Sequence, residues 1–334
     1  MPEMKIIKSL LFILALSFNS LTFANECFTL ISKVFKETEQ MTKVLTFKPG
    51  QTLGMEFEGT VSEGLSNFDI AIIIKDLYRN SGLDAIVVKD TEEESAYKVV
   101  FTQNNRERSL TVLDDVSLNN TKSGKGIEIT SPVMTSEEDV LLYTSTLQQL
   151  KHANILKTED ELGGIHLHYG VPNLTIGQLK TVMKFFYLNS QTVKSAFKMK
   201  PSRMQIDAMS MVAPIDNLEN YQSKNLVSET DLKVFFPKSI IRYKEEIGTL
   251  ELRVFNSSLD LNEQLKDINF TLRVFDTILA ADEELSQKIT EVYKYARLRM
   301  DPEQVKFYSG LHDNEIDSEG DPYLQSLFAL ISEQ

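Results

Sequence analysis

The chain has 334 residues, of which 42% are hydrophobic and 25% charged, with only 14 glycines and 9 prolines. This composition is typical of a globular enzyme that can bury a substantial core, and the sequence contains no low-complexity tract or internal repeat. The net charge of −13 argues against a nucleic-acid partner, because a phosphate-binding face needs clustered Lys and Arg.

The first 24 residues have the pattern of a secretory signal peptide. Lys5 and Lys8 precede an apolar run at residues 9–18, and Ala24 closes a stretch suited to cleavage. The apolar run is too short to span a bilayer comfortably. We therefore expect cleavage near Ala24, a secreted or periplasmic protein, and no membrane span after the signal is removed.

The rest of the chain predicts helices and strands in mixed order. Helices are predicted at residues 28–41, 68–78, 136–152, 176–197, 261–281, 284–298 and 323–331. Short strands are predicted at residues 85–88, 97–102 and 110–113. Few regular βαβ alternations occur, which favours an α+β fold with a mainly antiparallel sheet backed by helices.

The chain is predicted to divide into four parts. They are a signal peptide (residues 1–24), an N-terminal helix and linker (25–50), a catalytic domain (51–300) and a C-terminal helical extension (301–334).

Four segments repeat one pattern, in which charged or imidazole side chains stand two residues apart with apolar residues between them. The segments are residues 53–58, 126–130, 164–169 and 249–254. In a β-strand, residues two apart share a face, so each segment has an apolar side and a side carrying Glu, His or Arg. The pattern predicts a sheet with one apolar face and one chemically reactive face.

Two interpretations of that second face stay open. An ordinary antiparallel sheet often has a polar face simply because water covers it. If the strands are neighbours, however, the carboxylates converge, and two of them ~4 Å apart repel by roughly 4 kcal/mol at an effective dielectric of about 20. Glutamate oxygens with a minority of imidazoles form a hard site suited to Mg²⁺ or Mn²⁺, which would relieve this repulsion.

The order of the motifs resembles the amidoligase family, which belongs to the carboxylate-amine ligase superfamily with the glutamine synthetase fold. The resemblance implies that one face of the mainly antiparallel sheet forms the active-site cleft, with helices packed on the other face. The motifs are Gly54-x-Glu56-x-Glu58, Asp115-Val116-Ser117-Leu118, Glu128-Ile129-Thr130-Ser131-Pro132, Gly163-Gly164-Ile165-His166-Leu167-His168 and Gly248-Thr249-Leu250-Glu251-Leu252-Arg253. Five motifs in this order are far more specific than any one alone. Val116 departs from the family's usual Asp-Gly-Ser-Leu, and because a β-branched residue does not easily adopt positive φ, the geometry of that turn stays open.

The resemblance implies roles for the residues of these motifs. Glu56, His166 and Glu251 match one metal position, and Glu58 and Glu128 match the other, so we expect Mg²⁺ (or Mn²⁺). The implied catalytic residues are Arg253, Arg242 and Asp115, and the implied nucleotide-binding residues are His168, Arg253, Arg203 and Ser117. A lone Arg is also common as a surface or ion-pair residue, and an Asp-x-Ser segment also forms plain turns.

The function that the resemblance implies is an exported ATP- and Mg-dependent carboxylate-amine ligase acting on small-molecule or peptide carboxylates and amines. Such an enzyme makes an amide bond through an acyl phosphate. Export conflicts with this function, because ATP is made and kept inside cells. The alternative is an exported metal-dependent binding protein or amide hydrolase on the same scaffold.

Overall fold

The computed structural model describes residues 30–38, 47–118, 124–158, 163–200 and 240–298. Within these ranges no helix is both long and apolar enough to cross a membrane. The predicted signal peptide (1–24), the C-terminal extension (301–334) and the predicted helix at 323–331 lie outside the described residues.

The centre of the fold is a nine-stranded sheet in which all the recorded strand pairs are antiparallel. The strands are β1 (Leu53–Val61), β2 (Asp84–Lys89), β3 (Tyr97–Gln103), β4 (Arg106–Asp114), β5 (Lys125–Thr130), β6 (Leu156–Lys157), β7 (Gly164–Gly170), β8 (Ile241–Lys244) and β9 (Thr249–Asn256). Their order across the sheet is β2-β3-β4-β5-β1-β7-β9-β8, and β6 pairs with β1. Strand β1 therefore lies in the middle of the sheet.

Seven helices accompany the sheet among the described residues. They are α1 (30–38), α2 (Asn67–Asn80), α3 (Glu137–His152), α4 (Ile176–Leu188), α5 (Ser190–Ala196), α6 (Leu261–Leu279) and α7 (Glu283–Leu298). Short 3₁₀ turns occur at Val116–Leu118 and Glu245–Ile247. The prediction of an α+β fold with a mainly antiparallel sheet is confirmed by this arrangement.

The start of α3 shows how the local sequence defines a helix boundary. Ser136 accepts a hydrogen bond from the Asp139 N–H at 3.2 Å, as expected of an N-cap residue. The Asp139 carboxylate does not complete a capping box. It accepts instead from the Thr135 N–H at 2.7 Å and lies 2.7 Å from the Arg108 guanidinium, so it ties the helix to strand β4.

The prediction of a single helix over residues 176–197 is wrong. The segment forms two helices that separate at Asn189, where the backbone has φ −108° and ψ 12°. The Asn189 side chain donates to the Phe185 carbonyl at 2.8 Å. Asn side chains compete with the helical backbone for hydrogen bonds in this way, which explains the break.

One face of the sheet forms the main core. Alternate residues of the central strands are fully buried there, including Met55 and Phe57 of β1 and Ile165 and Leu167 of β7. Helix α3 lies against this face, since the buried Tyr143 hydroxyl donates to the Ile129 carbonyl at 2.5 Å. With the apolar residues committed to the core, the charged residues of the same strands project from the opposite face.

Candidate active site

The four strands that carry the charged pattern are consecutive in the sheet, in the order β5-β1-β7-β9. The end of β1 and the start of β5 are 64 positions apart along the chain, so this adjacency is a property of the tertiary fold. Because adjacent strands lie about 4.8 Å apart, their outward side chains form a single cluster. The cluster contains Glu56, Glu58, Glu128, His166, His168, Glu251 and Arg253.

The register of β1 places two of its glutamates opposite chemically distinct partners. Glu56 pairs with His166 on β7, and Glu58 pairs with Glu128 on β5. His166 Nδ1 lies 3.1 Å from Glu56 Oε2 and 3.4 Å from Glu251 Oε1, while its Nε2 lies 3.4 Å from Glu58 Oε1. The His166 imidazole therefore lies between three carboxylates.

A β-bulge determines which residue of β7 faces Glu251. The register between β7 and β9 shifts between Ile165 and Leu167, so that His168 pairs directly with Glu251. A bulge adds a residue to one strand and changes the direction of nearby side chains. Without the shift, the register of the Ile165–Phe255 pair would place Tyr169 opposite Glu251, so the bulge brings His168 there instead.

Glu56, His168 and Glu251 each present one ligand atom within 4.8 Å of the others. His168 Nε2 lies 2.9 Å from Glu56 Oε1 and 4.0 Å from Glu251 Oε1. Gly54 makes room for this ring, because a Cβ on Gly54 would lie only 3.3 Å from the Cβ of His168. The His168 Nδ1 lies 3.2 Å from the Thr249 hydroxyl, which orients the ring from its other side.

Three cationic side chains surround Glu251, whose side chain is fully buried. Arg253 Nη1 donates to Glu251 Oε1 at 2.7 Å, and Arg242 Nε lies 3.5 Å from Oε2. Lys244 Nζ lies 3.8 Å from Glu251 Oε1 and 3.1 Å from Glu56 Oε1. Arg242 and Lys244 reach the cluster because β8 pairs with β9, with Arg242 directly opposite Glu251.

The environment lowers the pKa values of Glu56 and Glu251. Burial raises the pKa of Glu56, but the side chains of His166 and His168 and the charge of Lys244 outweigh it and hold that pKa well below its usual range. For Glu251, burial is likewise outweighed by neighbouring cations, Arg253 foremost, and the pKa is lowered. The two groups are therefore ionised at neutral pH.

Glu128 behaves differently because its closest charged neighbours are other acids. Burial, together with the charges of Glu56 and Glu58, raises the pKa of Glu128 to about 8. Its Oε1 accepts a hydrogen bond from the Thr130 hydroxyl at 3.2 Å, which only partly offsets this effect. Glu128 is therefore largely protonated at neutral pH when no further cation is present.

The residues of the cluster fit a divalent cation. Within the described part of the chain, His166 Nε2 and Glu251 Oε2 are buried polar atoms without a hydrogen-bond partner, and the buried His168 Nε2 lies 2.9 Å from the Glu56 carboxylate. Burying such atoms unsatisfied is costly, and a cation would satisfy imidazole and carboxylate lone pairs together. A donor set of mostly carboxylate oxygens with imidazole suits Mg²⁺ or Mn²⁺. The acidic residues Glu58 and Glu128 offer further oxygens beside this set.

Asp115 and Ser117 form a local turn at the end of β4. Asp115 Oδ1 accepts from the Ser117 N–H at 2.9 Å and from its hydroxyl at 2.6 Å. Val116 begins a 3₁₀ turn, a conformation with negative φ, so the segment does not use the positive φ that glycine would allow. The second Asp115 oxygen, Oδ2, is buried and lacks a hydrogen-bond partner among the described residues.

Lys244 was not among the predicted site residues, and Arg203, which was among them, lies outside the described residues. A signal for Lys244 was present. Arg242 and Lys244 stand two residues apart with Tyr243 between them, the same alternation that marks the other four segments. Strand β8 was not predicted because it is only four residues long and a 3₁₀ turn follows it directly.

Comparison with known proteins finds one matching family model. Residues 49–209 match the family model described as "Putative amidoligase enzyme". The matched range contains Glu56, Glu58, Glu128, His166 and His168, and the strand that carries Glu251 follows it. No curated protein was found to match the chain.

Proposed function

Residues 49–209 belong to the amidoligase family, and on that basis we propose that the protein is an ATP- and Mg-dependent carboxylate-amine ligase. The family supports assignment as a ligase enzyme. The observation that carries the proposal is the convergence of Glu56, His168 and Glu251 to within 4.8 Å. This convergence is supplemented by Arg253, held on Glu251 at 2.7 Å.

The proposal extends to the fold. A mainly antiparallel sheet with one face buried under helices and the other lined by Glu, His and Arg supports a relationship with the glutamine synthetase catalytic domain. In that arrangement the charged face of β5-β1-β7-β9 is the floor of the active-site cleft.

The proposed reaction has two steps. A carboxylate oxygen of the first substrate attacks the γ-phosphorus of ATP, the bond from phosphorus to the β-γ bridging oxygen breaks, and ADP leaves. The nitrogen of the amine substrate then attacks the acyl carbon of the resulting acyl phosphate. Inorganic phosphate leaves as the amide forms, and the nitrogen loses its proton. Divalent cations at this site would neutralise phosphate oxygens and align the two reactants.

The residues of the chain contribute in distinct ways. Glu56, His168 and Glu251 would hold one cation, with His166 between this set and Glu58. Glu58 and Glu128 would hold a second cation. A cation beside Glu128 would favour loss of its proton, since positive charge stabilises the carboxylate.

Arg253 is the residue best placed to stabilise the transferring phosphoryl group. Its guanidinium is anchored by Glu251, and about one fifth of its side-chain surface is exposed (20%), so it faces both the carboxylate cluster and the cleft. A planar guanidinium can bind two phosphate oxygens at once. Arg242, more exposed at 32%, supports the same region from β8. Asp115, whose buried Oδ2 lacks a partner among the described residues, would orient a substrate or the nucleotide together with Ser117.

We also propose that the enzyme acts after export, in the periplasm or outside the cell. The support is the signal-peptide pattern in residues 1–24. This location requires a source of nucleotide outside the cytoplasm, which makes nucleotide dependence the most informative property to measure.

The test uses the mature chain from residue 25, incubated with Mg²⁺, ATP and pools of amino acids, peptides and polyamines that supply a carboxylate and an amine together. We expect release of ADP and phosphate that depends on both substrates. Mass spectrometry of the products should show condensation with loss of one water. Failure to bind Mg-ATP, or to release ADP with any mixture, would replace the ligase with the metal-dependent binding protein or amide hydrolase.

A further inference from the structure

Lys244 lies among the same atoms that would hold the cation. Its Nζ is 3.1 Å from Glu56 Oε1, the oxygen that also lies 2.9 Å from His168 Nε2. It is 3.8 Å from Glu251 Oε1. The ammonium group therefore contacts both carboxylates of the converging set.

Such a position is incompatible with a divalent cation bound to the same oxygens. A cation bound by carboxylates sits about 2 Å from each oxygen, so an ammonium 3.1 Å from Glu56 Oε1 would be its direct neighbour. Two positive charges at that separation repel strongly in a buried site. One of them has to leave.

We propose that Lys244 is a built-in competitor of the metal, an internal cation that neutralises Glu56 and Glu251 until a divalent ion displaces it. The proposal rests on the proposed function, because it assumes that the cluster binds metal. It assigns Lys244 a positioning role. In the metal-free protein the lysine keeps the carboxylates in place, and on metal binding it moves toward the cleft.

The side chain has the properties that this exchange needs. Lys carries a compact charge on a flexible four-carbon stem, whereas the Arg fork is rigid and suited to a fixed partner. Lys244 is the last residue of the short strand β8, and 27% of its side-chain surface is exposed, so the ammonium can reach solvent by rotating about its own bonds. Arg253, with its 2.7 Å hydrogen bond to Glu251, is the fixed cation of the site.

The first experiment compares Mn²⁺ binding by the wild-type protein and Lys244→Met, using calorimetry and thermal unfolding without nucleotide. Met keeps the length of the apolar stem but removes the charge. The variant should bind Mn²⁺ more tightly, by at least about fivefold, because coupling between ligands is commonly in the range of 5- to 150-fold. It should also melt at a lower temperature than the wild type when metal-free, since Glu56 and Glu251 lose a counter-charge.

The matched control is Lys98→Met. Lys98 projects from the same face of the sheet, on β3, where its Nζ pairs with Asp90 at 2.9 Å away from the acidic cluster. Its removal should leave the Mn²⁺ affinity unchanged. Equal or weaker Mn²⁺ binding by Lys244→Met would overturn the competitor role while leaving the metal site intact. Absence of Mn²⁺ binding in both proteins would overturn this role and the metal dependence of the proposed function together.

A second measurement uses only the wild-type protein, in case Lys244→Met does not fold. Acetylation of lysines by an amine-reactive ester is followed by mass spectrometry with and without saturating Mn²⁺. Lys244 should be labelled several-fold faster with Mn²⁺, because displacement frees its ammonium from the carboxylates, while Lys98 should react at the same rate. Slower or unchanged labelling of Lys244 would overturn the proposal.

Discussion

Glu58 and Glu128 are direct partners across strands β1 and β5, so two acidic side chains of like charge face each other at the centre of the sheet. Like charges opposite each other in a sheet are destabilising. In the folded protein Glu128 is the protonated member of the pair, because burial and the charges of Glu56 and Glu58 raise its pKa to about 8. This carboxyl pair links the stability of the metal-free protein to pH.

The first prediction concerns that link. Between the unfolded pKa of Glu128, 4.5, and its folded pKa of about 8, the unfolded chain loses a proton that the folded protein keeps. The stabilising contribution is complete below pH 4.5 and is lost as pH rises through about 8. The loss should amount to several kcal/mol, since one pKa unit corresponds to about 1.4 kcal/mol.

Glu128→Gln should remove this pH dependence. The measurement is urea unfolding of metal-free protein with chelator at several pH values between 5 and 9. The lowered pKa values of Glu56 and Glu251 act at lower pH, so they do not obscure this window. Glu92→Gln, in an exposed loop, is the control and should follow the wild type. The same pH slope in Glu128→Gln and the wild type would contradict the prediction.

The second prediction concerns the metal. Mg²⁺ or Mn²⁺ at millimolar concentration should raise the melting temperature by mass action, and more so with nucleotide present. Glu251→Gln should abolish this rise, because Glu251 is fully buried at the convergence of the ligand atoms. The control is Glu107→Gln, an exposed residue of β4. If neither Mg²⁺ nor Mn²⁺ changes the melting temperature of the wild-type protein, a divalent-cation site at Glu251 is excluded.

The third prediction concerns turnover. Arg253→Lys should lower kcat by roughly 10²- to 10³-fold, because ammonium cannot reproduce the planar fork on a phosphoryl group in the transition state. Nucleotide affinity should change little. The assay is ADP release with carboxylate and amine supplied together. Arg106→Lys, an exposed site at the start of β4, is the control.

Arg253 also binds Glu251, so the same variant needs a test of the metal site. The Mn²⁺ midpoint from thermal unfolding provides it. If Arg253→Lys has a lower kcat but an unchanged Mn²⁺ midpoint, the loss arises at the phosphoryl group and not at the metal site. A normal kcat in this variant would rule out the role of Arg253 in phosphoryl transfer.

The fourth prediction concerns the space that Gly54 provides. Because a Cβ at this position would lie 3.3 Å from the His168 Cβ, Gly54→Val should push the His168 ring away from Glu56. The Mn²⁺ affinity, measured from thermal unfolding, should then fall about tenfold or more, as is typical when a residue that supports a metal ligand is changed. Ser109→Val, which places the same valine side chain on the same face of the sheet in β4, should keep the wild-type response. A wild-type response in Gly54→Val would show that His168 is not held by this contact.

The sequence by itself determined which residues share a face. Alternation with a period of two assigned Glu56 and Glu58 to one side of β1 and Met55 and Phe57 to the other, because backbone geometry makes successive side chains point in opposite directions. Helix boundaries with local signals were equally readable, as at Ser136. Asn189 marks the limit of this reasoning. Its helix-breaking hydrogen bond competes with a strongly apolar helical pattern, and the pattern alone does not show which effect prevails.

Only the tertiary structure decided strand order and register. Strand β1 lies between β5 and β7 although three strands separate it from β5 along the chain, because pairing between distant segments depends on how their apolar faces pack. The bulge that brings His168 opposite Glu251, and the pairing of β8 that brings Lys244 to Glu56, have the same origin. Distances of a few ångströms between charges follow from register, and register is a long-range property that local sequence patterns do not contain.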